Sequence, residues 1–193
     1  MSTTTQAMTL RDAREISAGI VQRLAPYCER IEVAGSIRRC KPWIGDVEIV
    51  AIPKTSLTEP EFDLFGNKTG GGVAVRDPRF VDAVASMTHQ HIKGSALDGK
   101  YMQFLTDGLV KVDLFTAVRG NWGYIMAIRT GSADFSKMIA SRWVSLGYNG
   151  QEGFLVRSGQ RCNFPEERDL FDTLRLHTPP PPNQEMTANK LQP

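Results

Sequence analysis

Residues 46–53, Asp-Val-Glu-Ile-Val-Ala-Ile-Pro, constrain the fold more than any other stretch of this chain. Alternate side chains of a strand leave on opposite faces, so Asp46, Glu48, Val50 and Ile52 share one face. That face is acidic at one end and apolar at the other. Its apolar end asks for burial, yet two carboxylates within one side chain's reach repel each other and resist it. A divalent cation resolves both demands. Mg²⁺ is held typically by one or two carboxylates and completes its shell with water and phosphate oxygens. A bare Asp-x-Glu is more often just the solvated start of a strand, so the pair needs a third acid to carry weight.

Asp113 supplies one. It lies inside Leu-Val-Lys-Val-Asp-Leu-Phe (109–115), a second alternating run, where a lone acid is costly to bury. If strands 46–52 and 109–115 are neighbours, three carboxylates converge, the donor set of a two-metal phosphoryl-transfer site. Ten residues before Asp46 stands Gly35-Ser36, followed by Arg38 and Arg39. Glycine lets a backbone approach a ligand closely. Serine and a guanidinium donate to phosphate oxygens, the latter in a fork. Alternation along the turn directs only one of the two arginines toward the acids; Arg39 is taken as that one.

The rest of the chain sets these residues in an α+β frame. Leu10, Ala13, Ile16, Ile20 and Leu24 recur at helical spacing after a Thr9/Asp12 capping box. Residues 31–35 read as a short strand, 54–79 as a mobile Gly- and Pro-rich loop, and 80–87 as a short helix. A helix is predicted over 133–146, with Phe135, Ile139 and Trp143 inward and Gly147 after its end. The segment 165–176 reads as another helix, with Pro165 at its first position and acids in its first turn. The pattern divides the chain into a disordered lead (1–8), a main domain (9–120), a small C-terminal lobe (121–177) and a Pro-rich disordered tail (178–193).

Composition narrows the function. In 193 residues, 41% hydrophobic, there is material for one ordinary core. Lys+Arg 23 against Asp+Glu 21 excludes a strongly basic coat and leaves room only for a local basic strip. Lys93, Lys100, Lys111, Arg129, Lys137 and Arg142 are candidates for such a strip, with Lys111, Arg129 and Lys137 foremost. Cys28, Cys40 and Cys162 form no C-x-x-C pair, so reduced thiols are expected rather than a zinc site or disulfides. His89 and His91 have no third ligand in sight and read as surface residues in a loop. Trp143 reads as core, and Trp122 is left open between core and base stacking. Neither a signal sequence nor a membrane span is visible, and a soluble, cytoplasmic monomer is expected.

Gly35-Ser36-x-Arg38-Arg39-x5-Gly45-Asp46-x-Glu48 resembles the signature of the polymerase β-type nucleotidyltransferases. Asp113 in Val-Lys-Val-Asp-Leu-Phe is similar to that family's third-carboxylate strand. Thr130-Gly131-Ser132 resembles the T-G-S motif of X-family DNA polymerases, and Glu-Glu-Arg-Asp-Leu-Phe-Asp (166–172) their last thumb helix. The resemblance spans residues 9–180 and covers a palm and a thumb, a compactness similar to viral or phage members.

It implies a palm with a mixed sheet and helices, a small thumb lobe, and a DNA polymerase or repair-type gap-filling activity. Asp46 and Glu48 would bridge two Mg²⁺ ions (Mn²⁺ as a substitute), and Asp113 would bind the ion beside the primer 3′-hydroxyl. Gly35, Ser36 and Arg39 would hold the nucleoside triphosphate, Gly131 and Ser132 its sugar and base. DNA, as primer–template or gapped duplex, would be the partner. Two departures stand out: Glu48 where the family usually has Asp, and Ile128-Arg129 in place of paired aromatics before T-G-S. The alternatives are a nucleotidyltransferase for small molecules or proteins, and a non-catalytic nucleic-acid-binding relative.

Overall fold

The structure, a computed structural model, describes residues 7–65, 67–179, 181 and 184. A two-residue strand β1 (Met8–Thr9) leads directly into helix α1 (Leu10–Leu24). Thr9 caps that helix, its hydroxyl accepting from the Asp12 N–H at 3.2 Å. The lead expected through residue 8 therefore ends earlier, because Met8 pairs with Ile44. Strand β2 (Cys28–Val33) runs into α2, a single turn (Gly35–Arg38), so Gly35 belongs to the turn and not to the expected strand. After β3 (Trp43–Ile44) comes β4 (Val47–Pro53), the acidic–apolar run.

Residues 54–79 are not one loop. They form two small ladders, β5 (Thr55–Leu57) with β8 (Ala74–Arg76), and β6 (Glu61–Phe62) with β7 (Lys68–Gly70). Helix α3 (Pro78–Ala85) starts on Asp77, whose carboxylate accepts from the Arg79 N–H. Strands β9 (Gln90–Gly94), β10 (Tyr101–Leu105) and β11 (Lys111–Thr116) complete the main sheet. His91 is thus in an edge strand rather than a loop.

The main sheet has five strands in the order β2-β4-β11-β10-β9. It is mixed: β4 and β11 are parallel, the other pairs antiparallel. Ile49, Ala51, Met102, Phe104, Val112 and Leu114 face α1 and α3 and close the larger core with Ala13, Ile20, Leu24, Phe80 and Val84. The opposite face carries the acids and, beyond them, Val50, Ile52 and Phe115 against Trp122 and Met126. Trp122, left open above, is therefore core.

Helices α4 (Trp122–Thr130) and α5 (Ala133–Ser145), a three-stranded sheet of β12 (Asn149–Gln151), β13 (Phe154–Arg157) and β14 (Gln160–Arg161), and α6 (Glu167–Thr173) follow. They share their own core, centred on Phe135, Ile139, Leu155, Leu170 and Phe171. The last helix is shorter than 165–176. It begins after Glu166, whose backbone N–H donates to Asp169, with Pro165 lying ahead of the cap.

Two arginines tie this lobe to the sheet. Arg30 forks onto Glu166 (2.6 and 3.1 Å), and Arg38 onto Glu167 (2.9 and 2.6 Å). In the expected disordered tail, Pro179 and Gln184 are buried, and the Gln184 carbonyl accepts from the Ser132 N–H; the remainder lies outside the described residues. The chain is α+β, with a five-stranded mixed sheet and, among the described residues, six α-helices. None of these helices is long and apolar enough to cross a membrane.

Candidate active site

Register, not sequence distance, assembles the site. Lys93, Gln103, Asp113 and Glu48 stand opposite one another on β9, β10, β11 and β4, one polar row across four strands. Asp46 precedes β4, on the same face as Glu48. Beyond Glu48 the row reaches Ala34, whose N–H donates to the Glu48 carbonyl at 2.8 Å, and then Gly35. The next row, Tyr101, Phe115 and Val50, is aromatic and apolar.

Gly35 is required where it stands. Its φ is +61°, and a Cβ there would lie 1.7 Å from Glu48 Oε2, so any side chain would displace the carboxylate. Glu48 is thereby covered by the α2 turn. Burial first, then the charges of Asp46 and Asp113, push its carboxyl up to about 7; Arg39 and Arg129 act in the opposite direction. Asp46 pairs with Lys111 at 2.8 Å, a contact that holds the Lys111 ammonium above its ordinary value.

Asp113 is buried, at 7% exposure. Its Oδ1 accepts from the Tyr101 hydroxyl and, at 2.6 Å, from Gln103 Nε2. These two donors answer the cost of an acid mid-strand. Burial, followed by the bond to Asp113, holds the Tyr101 phenol above its ordinary value. Among the described residues, no three acid, imidazole or thiol side chains close around one ion-sized point. Asp46 is turned to Lys111, and Asp113 Oδ1 to its β10 donors.

The turn that follows Gly35 divides its arginines as the alternation predicts. Arg38 goes to the C-terminal lobe, to Glu167 and to the Thr130 hydroxyl (2.8 Å). Arg39 stays beside the acids and donates to the Thr130 carbonyl. Ser36 is half-buried on the same turn. Thr130-Gly131-Ser132 is therefore next to the α2 turn, although far from it in sequence. Ser132 caps α5, its hydroxyl accepting from the Phe135 N–H at 3.2 Å. Gly131 has room for no Cβ, which would come within 2.3 Å of the Phe135 ring.

The six basic candidates do not form one strip. Lys111 and Arg129 stand at the acids, Arg129 with its guanidinium 4.0 Å above the Phe115 ring. Lys137 is exposed on α5, 3.8 Å from Asp134. Lys100 donates to the Glu152 carbonyl, Arg142 to that of Leu174, and Lys93 lies over the Tyr101 ring. The three cysteines are free thiols, and burial pushes Cys28 up to about 12.

Tyr101 and Gln103 are the residues that sequence reasoning missed. The signal was the alternation of Tyr101 and Gln103 with Met102 and Phe104, a half-polar strand beside the Asp113 run. Comparison of the chain with protein-family models and with curated proteins returns no match.

Proposed function

We propose that the chain is a Mg²⁺-dependent nucleotidyltransferase that extends a DNA 3′ end from nucleoside triphosphates, with the sheet domain as palm and the C-terminal lobe as thumb. The observation that carries this reading is the pairing of Asp113 with Glu48 on adjacent parallel strands, with Asp46 two residues before Glu48. It fits a divalent cation by its donors. All three offer hard carboxylate oxygens, and Glu48, raised by burial first and then by the charges of Asp46 and Asp113, would have that repulsion relieved by a cation between them.

Asp46, Glu48 and Asp113 would hold the metal, which when bound supplies charge neutralisation and a more acidic attacking hydroxyl. Asp46 would exchange Lys111 for it, leaving an ammonium beside the site for phosphate. Ser36 and Arg39 would orient the triphosphate, Arg39 from a position already fixed by the Thr130 carbonyl. Gly131 and Ser132 would line the sugar at the start of α5. The T-G-S turn is held against Arg38 and Arg39, and α6 is tied back by Arg30 and Arg38; the resemblance of these two segments to polymerase motifs is what favours a DNA end over a small-molecule acceptor.

Primer extension with Mg²⁺ or Mn²⁺, with and without template, tests the reading. Addition of nucleotides by the wild type, lost in Asp113→Ala with circular dichroism unchanged, is the expected result. A folded wild type that extends no DNA end under either metal would overturn it.

A further inference from the structure

Asp113 is the most deeply buried of the three acids, and both of its hydrogen-bond donors come from one neighbouring strand. Tyr101 and Gln103 are two residues apart on β10 and therefore on one face; Gln103 is directly opposite Asp113, and Tyr101 is diagonal to it. Both donate to the same oxygen, Oδ1. Two donors on one oxygen fix the plane of the carboxylate and leave Oδ2 as the oxygen not engaged by them. Neither donor is loose. The Tyr101 ring stacks on Phe115 at 4.9 Å and 25°, and Lys93 Nζ lies over the same ring, 5.2 Å from its centroid. Gln103 is held in the ladder between Lys93 and Asp113.

We infer that Tyr101 and Gln103 are positioning residues that orient Asp113 so that a single carboxylate oxygen is presented to the divalent cation. The inference rests on the nucleotidyltransferase reading of the three acids. Hydrogen bonds to the far side of a metal-binding group fix its orientation and basicity, and their loss typically costs ~10–100-fold in metal affinity or activity. Tyr101→Phe removes one hydroxyl and keeps the ring stack on Phe115. Gln103→Leu removes the amide at similar size. Neither residue is placed to touch nucleotide or DNA, so the turnover number should fall while the KM for nucleotide stays unchanged.

The test is Mn²⁺ binding, followed by electron paramagnetic resonance on wild type, Tyr101→Phe, Gln103→Leu and Asp113→Asn, alongside kcat and KM for single-nucleotide insertion. Thermal melts in chelator confirm that each variant folds. Expected is wild-type Mn²⁺ binding that weakens about tenfold or more in both β10 variants and in Asp113→Asn, with kcat reduced and KM unmoved. If Asp113→Asn weakens Mn²⁺ but the β10 variants bind it as wild type does, the positioning role is overturned and the metal reading stands. If wild type binds no Mn²⁺, or Asp113→Asn binds it unchanged, the metal reading falls and the positioning role falls with it.

Discussion

Replacing Glu48 by glutamine should stabilise the metal-free protein at neutral pH, because folding forces this carboxylate into a place that disfavours its charge. The carboxyl rises from 4.5 to about 7 on folding, through burial first and then the fields of Asp46 and Asp113. Below pH 4.5 the group is protonated in both folded and unfolded chains and contributes nothing to pH dependence. Between 4.5 and 7 the unfolded chain has released its proton while the folded chain keeps it. The unfolded state then binds fewer protons, and stability falls as pH rises through that window.

Above about 7 both states are ionised and the whole cost is present. At 1.36 kcal/mol for each tenfold in proton affinity, that cost is at most about 3 kcal/mol, before screening and relaxation reduce it. Glu48→Gln escapes it. Urea unfolding in chelator should therefore favour the variant by about 1 kcal/mol at pH 5 and by up to about 3 kcal/mol at pH 8. Saturating Mg²⁺ should then stabilise wild type, by ~2.7 kcal/mol at a hundred times its Kd, and leave the variant nearly unmoved. An equal difference at the two pH values, or a variant less stable at pH 8, would refute the reasoning.

Gly35→Ala places a Cβ against Glu48 Oε2 at a positive φ, which costs ~1–2 kcal/mol in backbone strain alone. Urea unfolding should show at least that loss, and Mn²⁺ titration a weaker site. Arg38→Ala removes the fork onto Glu167 between side chains only 21% and 16% exposed, and should cost about 2–3 kcal/mol in the same assay. Arg38→Lys should recover only a fraction of it, since an ammonium cannot make the planar two-bond contact.

Elements whose own periodicity decides their burial were legible in the sequence. Helix α1 declares itself by Ala13, Ile20 and Leu24 and by the Thr9 cap, and β4 and β11 by the alternation of Asp46, Glu48, Lys111 and Asp113 with apolar residues ahead of an apolar run. The placing of Asp113 beside Glu48, with Asp46 two residues before it, required only the assumption that β4 and β11 are neighbours, which they are. Strand β9 was hidden because all five of its residues are exposed, so Gln90–Gly94 carries no apolar pattern. The ladders within 54–79 were hidden for a related reason: Thr55–Leu57 and Glu61–Phe62 are strands of three and two residues, largely exposed, too short for a period to show. The ion pairs of Arg30 and Arg38 leave no local trace at all. Arg38, in its turn, reads as solvated until Glu167 arrives from the far end of the chain.

That distant contact joins the two halves of the site. The α2 turn is gripped from both sides: Glu48 packs beneath Gly35, while Thr130 and Glu167 hold Arg39 and Arg38 from above. Arg38 and Arg39 are consecutive, so a displacement of α6 that drags Arg38 must also shift Arg39 relative to the acids. Four residues of helix offer little slack to absorb it. Arg30 repeats the tie one residue away, on Glu166, and so restrains α6 from pivoting about the Arg38 contact. The group proposed to receive the triphosphate is thus set by the seating of the C-terminal lobe, whereas the carboxylates are set by sheet register. Nucleotide bound at Arg39, as proposed, would then depend on how that lobe is seated against the sheet domain, because a single turn of backbone carries both contacts.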